Sequence, residues 1–298
     1  MTPQKNDKKC TLMFISSLAI VGTIGILRRY IPISSALLAF FRGLIGAISL
    51  LLLVAVLRGG HMKKLEARKF LTLALGGAFL GINWILLFEA YRFTTIAKAT
   101  LCYYLEPTVV LLLSPILFKE KLTAKKLIAA AVSLLGMVFV SGIISSDASG
   151  AGDVKGVLFG IGAALFYSLV VILNKKVGDV DAYEKTIIQL FSAAIVLIPY
   201  LLLTEDFESL VIKPKTFILI FVAGIIYTGV VYALYFGSMK GLRAQTISAL
   251  SYIDPVVALL VSTLILREKL SVWGIVGAVL ILGSAFVSEA FDKSDSKS

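Results

Sequence analysis

Apolar runs of about 17–24 residues, separated by short polar breaks, follow one another from near the N-terminus to near the C-terminus. A helix rises 1.5 Å per residue, so about 20 residues cross the roughly 30 Å hydrocarbon core of a bilayer. The pattern predicts spans near 11–27, 34–57, 69–90, 96–118, 124–144, 154–174, 186–203, 214–236, 244–266 and 271–290. The chain therefore reads as an all-α integral membrane protein with ten transmembrane helices, a single membrane domain over 1–298.

A second pattern lies over the first. The stretch YLEPTVVLLLSPILFKEKL at 104–122 returns at 252–270 as YIDPVVALLVSTLILREKL, an offset of 254 − 106 = 148 positions. Repeats at that spacing divide the chain into five-helix units, 1–150 and 151–298. Five is odd, so the second unit must enter the bilayer from the opposite side, and the two form an inverted pair. Inverted repeats are the architecture of many secondary transporters, with substrate held near the midplane between the halves.

Composition agrees: 58% of residues are hydrophobic and 16% charged, too apolar for a soluble domain of this length. The net charge of +11 is not gathered into one nucleic-acid-binding arm but spread over alternate loops. With the N-terminus inside, the inner segments hold 19 Lys and Arg against 9 outside. The positive-inside rule then places both termini in the cytoplasm of a multi-pass protein of the cell (inner) membrane. The acidic or Gly/Ser-rich loops 145–153 and 204–210 read as external connectors. MTPQKNDKKC and the run after it could read as a cleaved leader, but the run is long and no small-x-small site precedes Arg28, so it is taken as the first span. No GxxxxGK[ST] loop is present for ATP-driven pumping. One histidine, His61, with Cys10 and Cys102 makes neither a metal set nor a disulfide, so no cofactor and no enzyme activity are expected.

Polar groups within the spans are the candidate site, because a charge in hydrocarbon costs about 2.5 kcal/mol or more unless it faces protein or water. Arg42 lies about eight residues into the second span and Glu106 at a similar depth in the fourth, which makes them candidate partners. Glu106-Pro107 and Asp254-Pro255 are repeat mates. Each proline removes an N–H and crowds the carbonyl four residues back, Tyr103 and Ser251, predicting a kink beside a carboxyl. Such a site suits an ammonium group or a coupling proton. Trp84, Tyr103, Tyr104, Tyr167, Tyr227, Tyr232, Tyr235 and Tyr252 add aromatic walls with polar tips. Asn83, Ser168, Gln189 and Ser248 are further polar candidates, each equally explained by helix–helix hydrogen bonding. Tyr103, Tyr104 and Arg42 are the expected surroundings of Glu106, whereas Ser251 and Tyr252 neighbour Asp254, so Glu106 is expected to matter more. Gly77/Gly81, Gly156/Gly160 and Gly274/Gly277 predict close helix crossings.

The LEP and IDP repeats, the glutamates Glu120 and Glu268 at the repeat ends, and the TTIAKATL and LRAQTISAL stretches before them resemble the EamA-type branch of the drug/metabolite transporter superfamily. The resemblance covers nearly the whole chain. It implies the ten-helix inverted fold and export of a small polar or amphipathic metabolite, an amino acid first, by alternating access through a central cavity. Carriage of a sugar, nucleoside or organic cation, and a channel-like conduit, are the alternatives. The partners implied are a small-molecule substrate, the lipid bilayer and protons as a coupling ion; nucleic acid is not among them.

Overall fold

The computed structural model describes residues 3–58, 65–118, 123–141, 151–207, 212–239, 242 and 244–295. Among these there is no strand. The helices are α1 (Pro3–Gly22), α2 (Ile24–Arg29), α3 (Ser35–Arg58), α4 (Ala67–Phe93), α5 (Ile96–Tyr103), α6 (Glu106–Phe118) and α7 (Ala124–Ser141). They continue with α8 (Ala151–Val177), α9 (Ala182–Thr204), α10 (Pro214–Phe221), α11 (Val231–Met239), α12 (Ala244–Ser251), α13 (Ile253–Leu260) and α14 (Val272–Asp295). π-helical turns over Val222–Val230 and Val261–Ile265 join α10 to α11 and extend α13.

Among the described residues seven segments have the length and apolarity to cross a membrane: Lys8–Arg29, Ser35–Leu57, Ala67–Phe93, Ile96–Phe118, Asp153–Val177, Ala182–Thr204 and Pro214–Met239. Three shorter apolar helices, Leu127–Ser141, Ile253–Ile265 and Val272–Val287, fall within the expected spans 124–144, 244–266 and 271–290 without reaching that length. His61, Glu120 and most of loop 145–153 lie outside the described residues, as do the side chains at Ser248 and Gln245.

A shift of 148 positions carries the bounds of α5 onto those of α12 and Glu106–Phe118 onto Asp254–Leu266. Packing follows the same exchange. α4 lies along α8 and α1 along α11; α4 touches α9 as α3 touches the Val222–Val230 turns; α3 meets its own mate α9, and α7 its mate α14. Contacts between the halves thus outweigh those within them, and the main buried cluster draws Leu37, Phe88, Ile187 and Leu190 from both. Gly77 is seated against the backbone of Gln189, and a Cβ on Gly81 would approach the Ala193 carbonyl to 3.2 Å. Gly136 and Gly277 meet at the α7–α14 crossing, where a Cβ on Gly136 would lie 2.8 Å from the Gly277 carbonyl. Gly274 plays no such part, since its nearest neighbours are Ser271 and Leu270 of its own turn.

The acid–proline pairs do more than kink a helix. The expected span 96–118 is two helices, with Tyr104 and Leu105 between them, and its mate is divided at Tyr252. Pro107 and Pro255 sit in the first turns of α6 and α13, where a missing N–H would have had no intrahelical acceptor. A new helix starting there accommodates the ring that a continuous one excludes.

Candidate functional site

The paired breaks set the site. α5 ends on Tyr103 and α12 on Ser251, and α13 crosses α5, so both breaks come together between the halves. The Tyr104 hydroxyl donates to Asp254 Oδ2 at 2.8 Å, joining the break of one half to the acid of the other. Gly22 of α1 lies against the same place; a Cβ there would be 2.7 Å from the Asp254 carbonyl. Glu106 starts α6, and its carbonyl accepts from Ser168 Oγ at 3.2 Å. Both carboxyl residues are half-buried and stand in the first turns of α6 and α13.

The tyrosines form the wall. The Tyr103 ring centre is 5.5 Å from that of Tyr167 and 6.0 Å from that of Tyr104, the latter edge-on. Glu106, Asp254 and Tyr232 all lie within electrostatic range of Tyr103, and Tyr235 within range of Tyr167.

Arg42 is not paired with Glu106. Among the described residues no carboxylate lies within 4 Å of its guanidinium. Instead Nε donates to Thr228 Oγ1 at 3.0 Å, and Cζ stands 4.3 Å above the Trp84 ring and 5.9 Å from that of Phe88. The face of an indole attracts a desolvated cation by about 2 kcal/mol, which offsets part of the missing counter-ion. Tyr232, Tyr103, Tyr91 and Asp254 complete the charged and polar surroundings of this buried group.

The other expected residues are engaged as follows. Asn83 donates to the Ala163 carbonyl at 2.7 Å, joining α4 to α8, and its Oδ1 has no partner. Gln189 Nε2 bonds Asn174 Oδ1 at 3.0 Å between α9 and α8. Ser251 Oγ turns back to the Ile247 carbonyl of its own helix. Tyr227 is hydrogen-bonded to Thr23 at the α1–α2 break, 2.7 Å away. Tyr252 sets its ring edge-on to Phe286 of α14. These are the helix-to-helix ties that short polar side chains make in an apolar bundle.

Thr228 and Tyr91 were not expected. Thr228 owes its position to the π-helical turns, in which its hydroxyl also reaches the Ala223 carbonyl five residues back at 3.2 Å. Asp153, in the first turn of α8, holds Lys98 Nζ at 2.7 Å and also accepts from Thr94 Oγ1, binding the start of α5 to the start of α8. At the same end Glu268 accepts from Arg29, from Ile96 N–H at 2.9 Å and from Ser262 Oγ at 2.5 Å.

The chain matches the EamA-like transporter family twice, over residues 8–142 and 154–289. It is 29% identical over 279 residues to the uncharacterized transporter YxxF of Bacillus subtilis (strain 168), covering 93% of this chain and 88% of that protein. It is also 29% identical to protein PecM of Dickeya dadantii (strain 3937), over 72% of this chain and 71% of the relative. A solved crystal structure superposes with a TM-score of 0.65 over 95% of this chain and 96% of its own, at 20% identity, a likeness of fold alone.

Proposed function

Because the chain belongs to the EamA-like transporter family, we propose that it is a secondary carrier exporting an amino acid or a similar small amphipathic metabolite. It works by alternating access between two inverted five-helix halves, 1–150 and 151–298. Ten spans, the three shorter apolar helices included, give each half its five and put both termini in the cytoplasm, the side richer in Lys and Arg.

One observation carries the substrate class: among the described residues, opposite charges with no ion-pair partner gather about one tyrosine-walled place. Arg42 offers a guanidinium to a carboxylate, and Glu106 and Asp254 offer carboxyl groups to an ammonium or a coupling proton. The hydroxyls of Tyr103, Tyr167 and Tyr232 orient a solute whose apolar body lies against their rings. The Tyr104–Asp254 bond crosses from one half to the other, so a cation or proton that takes over Asp254 loosens the contact which must part when the halves rock.

Counterflow in proteoliposomes, screened over amino acids, sugars, nucleosides and organic cations, tests the reading. Saturable counterflow of an amino acid is expected. A sugar or nucleoside signal without any amino acid signal overturns the substrate, and unitary currents in a planar bilayer overturn the carrier. Orientation is tested separately: single cysteines at Ser149 and Lys64, without Cys10 and Cys102, are expected to label from opposite sides with an impermeant maleimide.

A further inference from the structure

A second polar place lies at the end of the bundle where α2, the turn into α3 and the end of α4 meet, external on the orientation above. It is a cleft of about 780 Å³, with Arg28, Arg29 and Arg92 beside Ile31, Ile33 and Phe93. That volume is within the range of small-molecule sites, and its lining is an apolar floor with a few placed cations.

The three arginines differ in their partners. Arg29 is paired with Glu268, and Arg92 Nη1 grips both oxygens of Glu89, at 2.8 and 3.1 Å. Arg28 has no carboxylate within 4 Å among the described residues, although only 5% of its surface is exposed. Its Nη1 donates to the Ile31 carbonyl at 2.8 Å and Nη2 to Ser35 Oγ at 3.1 Å, while Nε has no partner. A guanidinium has five N–H donors, so this fixed and buried cation keeps donors in reserve. The charges acting on it are Arg92 and Glu89, and Lys215 adds a further cation near the rim, 5.9 Å from the Tyr30 ring. Three arginines and two glutamates leave the cleft one positive charge over, held where solvent screens it poorly.

We propose that this cleft is a binding site for a small oxyanion with an apolar body, a monocarboxylate solute, whose carboxylate pairs with Arg28 and whose body lies on Ile31, Ile33 and Phe93. Tyr91 lines this cleft and also neighbours Arg42, so it stands between the two places; occupancy of the cleft is measurable without transport. Planar two-oxygen anions match a guanidinium fork bidentately, which favours a carboxylate over a halide.

The test uses the full-length protein in nanodiscs, with Cys10 and Cys102 replaced and Ser34→Cys placed in the cleft lining. Labelling by an impermeant maleimide is followed at constant ionic strength with phenylacetate or its uncharged amide, phenylacetamide. Saturable protection by phenylacetate and none by phenylacetamide is expected, with the protecting concentration raised about tenfold by Arg28→Gln. Arg92→Gln gives the same test on a side chain that is 53% exposed, should Arg28→Gln fail to fold. Arg42→Gln is expected to leave the protection intact, which separates this cleft from the central place; loss of protection in Arg42→Gln alone would assign the effect to the centre. Equal protection by the amide, or protection unchanged in both cleft variants, overturns the proposal. So does protection that appears only when phosphatidylglycerol replaces phosphatidylcholine in the discs, since the oxyanion is then a lipid phosphate.

Discussion

Arg29 and Glu268, 239 positions apart, form an ion pair between the end of α2 and the stretch leading into α14. The same carboxylate accepts the Ile96 N–H that starts α5 and the Ser262 hydroxyl of the π-helical turns. A single side chain of the second half therefore clasps two elements of the first. Hydrogen bonds to a charged group contribute about 1.5–3 kcal/mol each. Glu268→Gln keeps the shape and removes the charge. Spin labels at the exposed positions Tyr30 and Leu264 should then show a longer and broader distance distribution; an unchanged one would mean that this contact does not hold the ends together.

Lys98 and Asp153 are a buried pair, with 14% and 8% of their side chains exposed. Removing one partner of such a pair strands the other, at a cost of about 3–5 kcal/mol. Asp153→Asn and Lys98→Met should each lower the melting temperature sharply, and the double variant should lose less than their sum. Additive losses would show that the two groups act independently.

Asp254→Asn should reduce counterflow more than Glu106→Gln. Chain proximity pointed the other way, because Tyr103 and Tyr104 are Glu106's neighbours in sequence. The Tyr104 hydroxyl, however, is spent on Asp254 of the opposite half, and Asp254 rather than Glu106 is among the charges acting on Arg42. The loss of one charge-assisted bond corresponds to about tenfold. Tyr104→Phe should remove most of the difference between Asp254 and Asn; if the two substitutions multiply instead, the bond is not what makes Asp254 matter.

Arg42→Lys retains the charge but loses the guanidinium held over Trp84 and the bond from Nε to Thr228. Counterflow should fall about tenfold, with a smaller loss for Trp84→Phe, which keeps a ring face under the cation. Full activity in Arg42→Lys would leave only net charge as its contribution.

Gly277→Ala places a methyl where Val140 Cγ2 would stand 2.7 Å away and the Gly136 carbonyl nearer still. Over-packing of this kind costs about 1–3 kcal/mol, so a drop in melting temperature is expected. Gly283→Ala, with no atom within 4 Å of the added carbon, should leave it unchanged.

The outline of the fold could be read from two periodicities, because the bilayer dictates segment length and the duplication repeats the acid–proline pair. The packing glycines at 77, 81, 136 and 277 sit where helices touch, and all but Gly136 stood out as small residues in apolar runs. Arg42 was visible as a cation in hydrocarbon, but its partner was not. Thr228 is one hydroxyl among many in apolar spans, and it faces Arg42 through the π-helical turns, which no α-period pattern foretells. The Tyr104–Asp254 bond was hidden for a related reason. It joins residues 150 positions apart, and sequence places a residue's chain neighbours more readily than its partners across an axis. Asn83 and Gln189 are tied to a neighbouring helix, and a polar group serving as such a tie is indistinguishable, in sequence, from one that meets a solute.

The π-helical turns break the likeness of the two halves. Ala67–Phe93 and Glu106–Phe118 are α-helix, the latter with Pro115 inside it, whereas their counterparts in the second half carry the wide turns at Val222–Val230 and Val261–Ile265. Wide turns are rare, local departures from the α ladder that recur at functional sites. Duplication supplied two limbs of one pattern, and among the described residues the wide turns that interrupt the α-helical hydrogen-bond ladder fall on the second limb. Amide hydrogen exchange should accordingly be faster across 222–230 and 261–265 than across the matching stretches 74–82 and 113–117.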